Sequence, residues 1–209
     1  MKNKGKIEKY LLFCSLWGFA LFISAIYYFL MSITQDLSTS SELVLWVEKH
    51  GTALAVISEA AIFSVVFLLI SSHLLLAYVK CRLVKSIGSS LIIILAMALV
   101  LTSLFSGRLV YPVYHMVLDD TIAKLVISSM VAAVHMASLA LSVLIVTISF
   151  SLSKKSKLIL VTGILVALSQ LVMAYPWLLP FETIFIIIPA LLIWFMLFLR
   201  FISRFLGIK

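Results

Sequence analysis

Apolar residues in this chain come in long unbroken runs, and polar residues gather in short clusters between them. A helix needs about 20 apolar residues to cross the ~30 Å hydrocarbon of a bilayer. Segments of roughly 10–31, 51–79, 89–106, 125–152, 158–179 and 183–203 meet or approach that length. Because the runs are continuous and do not alternate with polar positions, a closed β-barrel is excluded. The pattern predicts an all-α polytopic membrane protein, a bundle of six transmembrane helices forming one membrane domain over residues 1–209. The second and fourth runs are longer than the hydrocarbon requires, which predicts tilt or protrusion. Pro189 predicts a kink in the sixth. The run from Tyr10 to Met31 is too long for the short apolar core of a cleaved signal and reads as a retained span.

The charges between the runs set the orientation. Lys2, Lys4, Lys6 and Lys9 precede the first run; Lys80, Arg82 and Lys85 join the second to the third. Lys154, Lys155 and Lys157 join the fourth to the fifth, and Arg200, Arg204 and Lys209 close the chain. With six spans all four clusters share one side, against Lys49, Arg108 and Lys124 on the other. The positive-inside rule then makes both termini cytoplasmic, N-in and C-in. The acids segregate the opposite way: Asp36, Glu42, Glu48, Asp119, Asp120 and Glu182 fall outside, Glu8 inside and Glu59 within a run. The longest connections, 32–50 and 107–124, are external. In the first, "SELVLWVEKHG" reads as a short interfacial helix with Leu43, Trp46 and Val47 toward lipid.

Composition agrees with this class. The chain is 64% hydrophobic and only 11% charged. Soluble domains carry more than twice that share of charged residues. The net charge of +8 does not indicate nucleic acid, because the basic residues form separate clusters at the ends of oily runs. The expected partners are the lipid bilayer, here a cell membrane, and a membrane protein or a second copy of the chain. Cys14 and Cys81 have neither pair nor metal-ligand spacing, so two reduced thiols and no metal site are expected.

Candidate chemistry rests on polar groups inside the runs, where they are costly. Glu59 and His73 are 14 positions apart, about 320° around a helix, and so share one face of the second span. Either that face points into the bundle and Glu59 relays protons or cations, or a protonated Glu59 bridges two helices. In the fourth span His135 centres a stripe with Lys124, Ser128, Ala132, Ser138, Ser142, Ser149 and Ser153. The stripe is either one wall of a polar path or a packing seam of small residues. Glu59 and His135 fall at similar depth, which predicts an inward-facing pair. Gln170 adds a polar group in the fifth span. Arg108, Tyr111, Tyr114, His115, Asp119 and Asp120, with Glu48 and His50 near in depth, form either an outer vestibule or ordinary wet loop charges.

No serine-hydrolase, zinc-protease or P-loop motif is present. His73 and His135 could ligate b-haem, but axial imidazoles need matching depth and these two differ by several turns. The reading that follows is a small permease or transport-related membrane subunit with a polar intramembrane path. Its alternatives are an anchor or assembly subunit of a larger complex and a quinone- or haem-binding electron-transfer subunit.

Overall fold

A computed structural model describes residues 2–37, 42–78, 81–111 and 118–205. Among these the chain forms six α-helices: α1 (Lys2–Leu37), α2 (Leu43–Tyr78), α3 (Arg82–Val110), α4 (Asp120–Ser151), α5 (Lys157–Met173) and α6 (Ile184–Phe205). Two single-turn 3-10 segments, Pro176–Leu178 and Phe181–Thr183, link α5 to α6. Each helix packs on the next in sequence, and α6 closes the bundle against α1 and α5. Short connections make consecutive helices antiparallel, so the basic clusters at 82–85 and 154–157 share one end, called here the basic end. Glu42, Asp119, Asp120 and Glu182 mark the acidic end.

Helices prevail because the backbone can satisfy its own hydrogen bonds only that way in lipid. Aliphatic rows then pack inward, with Ala20, Leu30, Leu54, Ala61, Leu95 and Leu191 fully buried. Close approach depends on glycine in two places. A Cβ at Gly18 would lie 2.9 Å from the Phe67 ring. At Gly163 it would collide with the Ser149 hydroxyl and sit 3.0 Å from Trp194 Nε1.

Five helices are long and apolar enough to span a membrane: α1, α2, α3, α4, and α6 with the 3-10 turn before it. The fifth expected span is shorter than the 158–179 run. α5 has 17 residues, about 25 Å of helix, and Pro176 and Pro180 follow it closely. Proline offers no amide donor and disfavours helix in the residue before it, so the run breaks into 3-10 turns. At the opposite extreme, α1 and α2 have 36 residues each, about 54 Å, longer than a bilayer's hydrocarbon.

The excess length corrects the expected interfacial helix. "LVLWVEKHG" is not a separate element; it forms the first turns of α2. Trp46 and Val47 are buried within the protein and do not face lipid. The Trp46 ring packs on His50, 5.1 Å between centroids. A stretch whose composition suits a membrane surface is equally suited to cap a bundle, and neighbouring helix faces decide between the two.

Candidate functional site

The polar residues singled out by the sequence are distributed over three settings. At the acidic end Asp119 and Asp120 act on helix termini. Asp119 is the N-cap of α4, its carboxylate accepting from the Ile122 amide at 2.7 Å. Asp120 accepts from the Val44 amide at 3.0 Å and so caps the first turn of α2 from across the bundle. Both carboxylates also sit where the partial positive charge of a helix N-terminus favours an anion. Arg108 lies half-buried in the last turn of α3, where a cation complements the carbonyl end. Much of the expected vestibule is thus helix-end chemistry; His115 and Tyr114 lie outside the described residues.

Val44 and Asp120 meet at the acidic end. Glu59 lies as far along α2 from Val44 as His135 lies along α4 from Asp120, and the two helices run parallel. Their depths therefore match, roughly four helical turns from that contact, as the sequence predicts. Their directions do not. Glu59 is exposed on the outer wall of α2, and its carboxylate accepts from the Tyr111 hydroxyl at 3.2 Å. Tyr111 directly follows the last turn of α3 and reaches back to Glu59, whose chain neighbour Ser58 bonds to Ser103 about two turns inside that helix. The hydrogen bond to Glu59 holds the Tyr111 phenol above its ordinary range. His73 is likewise exposed, near the other end of the same face.

His135 turns the opposite way. Its Nδ1 lies 2.8 Å from the Ala174 carbonyl at the end of α5, and its ring meets Tyr175 edge-on at 5.0 Å. The expected Glu59–His135 pair is not formed. With His73 on the outer wall and His135 turned to α5, these two do not face one another as axial haem ligands must. Among the described residues no three His, Cys, Asp or Glu side chains gather as a metal site.

The serine stripe divides. Ser128 and Ala132 are exposed, whereas Ser138, Ser142 and Ser149 are buried. Ser138 shares a 3.1 Å hydrogen bond with Tyr27 of α1, and Ser142 donates to the Ala167 carbonyl of α5 at 2.8 Å. Ser149 packs on Gly163. Small hydroxylated residues here let α4 and α5 approach closely, the usual composition of a membrane helix seam, and the Tyr27 side chain reaches in from α1. Gln170 is fully buried, and neither of its amide atoms has a hydrogen-bond partner among the described residues. Ser149 Oγ and Trp194 Nε1 are in the same condition.

One further feature is marked by no sequence signal. Toward the basic end, α1, α2, α3, α4 and α6 enclose a partly open cavity of about 150 Å³. Leu16 and Phe19 of α1, Leu68 and Leu75 of α2, and Val84, Gly88 and Ile92 of α3 form one side. Leu144, Ile145 and Ile148 of α4 and Trp194, Phe195, Phe198 and Phe201 of α6 form the other. Four hydroxyls also reach the lining, but each bonds to its own helix. Ser71 donates to the Leu68 carbonyl, Ser72 to Leu69, Thr147 to Val143 and Ser151 to Ile148. What the cavity presents is therefore hydrocarbon. Trp194 stacks flat on Phe198, 5.2 Å apart and 4° from parallel, and so forms a rigid wall.

Comparison with known protein families, curated proteins and solved structures finds no match.

Proposed function

We propose that this protein is a small multi-pass membrane protein that holds a lipophilic molecule within the bilayer. The observation that carries this reading is the five-helix apolar cavity. A void of comparable volume lined by Leu, Ile and Phe stays dry and binds benzene. Inside a membrane hydrocarbon chains are the abundant filler, and a cavity partly open at its edge admits one. By the positive-inside rule the basic end is cytoplasmic, with both termini on that side.

The reading is compatible with a transport-related subunit that handles lipophilic cargo. It gives less support to a polar permeation path, since Glu59 faces outward and the buried serines are used in packing. A second reading has one observation of its own. His73 is exposed on the face of α2 that it shares with Glu59, and a polar group turned outward at membrane depth is costly unless a neighbour meets it. That favours an anchoring subunit whose partner, another membrane protein or a second copy, covers α2.

Native mass spectrometry from mild detergent tests the first reading. The wild-type chain is expected to carry a bound lipophile. Val84→Phe and Ile148→Trp, which add bulk at half-buried lining positions, are expected to lose it while remaining folded. Equal retention by the wild type and both variants would refute the cavity as the binding site.

A further inference from the structure

An acyl chain gains little by leaving the bilayer for a cavity of the same polarity, because lipid tails are as apolar as the lining. The gain is limited to better packing, and such a site takes its selectivity from whatever meets the headgroup. The chain segments next to the lining at the basic end supply that chemistry. Val84, which lines it, is followed by the exposed Lys85 in the first turn of α3. Ser151 and Leu152, which line it from α4, are followed by the exposed Lys154 and Lys155. Those two lysines are held in a tight turn in which the Lys155 and Ser156 amides both donate to the Leu152 carbonyl. Against these cations, Glu8 is the one acidic side chain at this end among the described residues.

One further feature favours an anion. The Cys81 side chain, at the N-cap of α3, makes no hydrogen bond to the first-turn amides beside Val84. Lys85 adjoins a lining residue in the chain, and Lys154 and Lys155 lie within three positions of one, all at the basic end.

We propose that cavity and rim together form a site for an anionic phospholipid of the leaflet at the basic end, with one acyl chain in the cavity and the phosphate among Lys85, Lys154 and Lys155. This rests on the lipophile-binding reading above and adds the class of lipid. The rim lysines discriminate by charge, and a zwitterionic lipid with the same chains fills the cavity without that attraction.

The test is a titration of delipidated full-length protein with an equal mixture of phosphatidylglycerol and phosphatidylcholine bearing identical chains, read by native mass spectrometry. The wild type is expected to retain the anionic lipid over the zwitterionic one by about fivefold or more, the value of roughly one lysine near a charged surface. Replacing Lys85, Lys154 and Lys155 together by Gln is expected to bring that ratio near one without reducing phosphatidylcholine retention. Lys124→Gln, an exposed cation at the other end, is expected to leave the ratio unchanged. Equal retention of both lipids by the wild type, with loss of both in Ile148→Trp, would overturn the headgroup assignment and leave the cavity reading standing. Undiminished retention in Ile148→Trp would overturn both. A ratio unaltered in the triple variant would also overturn the rim.

Discussion

Individual polar residues in this protein mostly serve the bundle. Tyr27 and Ser138 join α1 to α4 through a fully buried hydrogen bond. Such bonds in membrane proteins couple by about 0.6 kcal/mol, because the alternative state also finds partners. A double-mutant cycle with Tyr27→Phe and Ser138→Ala, read by unfolding in mixed micelles, is expected to return a coupling near that value. A coupling of zero would place the two hydroxyls apart. At this scale the sequence was a partial guide. It marked Glu59, His135 and Gln170 as unusual because ionisable or amide groups are rare among aliphatics. It could not say which way Glu59 points, since that depends on how α2 is rotated against α1 and α3. Tyr27 carried a signal that went unused, a phenol deep in an apolar run.

Elements show the same division between what composition dictates and what packing decides. The long apolar runs were legible as helices, because the tally of apolar residues needs no knowledge of neighbours. The protrusion of α2 was not, since "LVLWVEKHG" has a surface-helix composition and becomes a helix start only when Trp46 and Val47 find cover. The capture of the Val44 amide by Asp120 holds those turns. Asp120→Ala is expected to cost about 1 kcal/mol, in the range of a lost N-cap. Hydrogen exchange should quicken at residues 44–47 while the middle of α4 stays protected. Unchanged exchange at 44–47 would mean that the cap contributes nothing. The early end of α5 follows from Pro176 and Pro180, visible in the sequence but outweighed there by the hydrophobicity of the run around them.

For the whole molecule, segregation of charge between the two ends was readable from the lysines alone, and the structure brings the two basic connections described to one end. With Cys14 and Cys81 replaced by Ser, cysteine introduced at Ser153 is expected to resist a membrane-impermeant maleimide in intact cells and to react after permeabilisation; labelling in intact cells would invert the orientation. The cavity was invisible in the sequence for a physical reason. A void arises from mismatch among side chains of five helices, and no pairwise spacing encodes it.

Trp194 offers the most direct test of that cavity. The chain has four tryptophans, and Trp194 is only 2% exposed yet lines the cavity wall. With Trp17, Trp46 and Trp177 replaced by Phe, the remaining fluorescence reports on Trp194 alone. In bilayers of lipid brominated along the acyl chains, a chain seated in the cavity brings bromine into contact with the indole. Strong quenching is expected, and Ile148→Phe should relieve it. Fluorescence as bright in brominated as in ordinary lipid would contradict the account, because no chain would then reach the place where this protein is proposed to hold one.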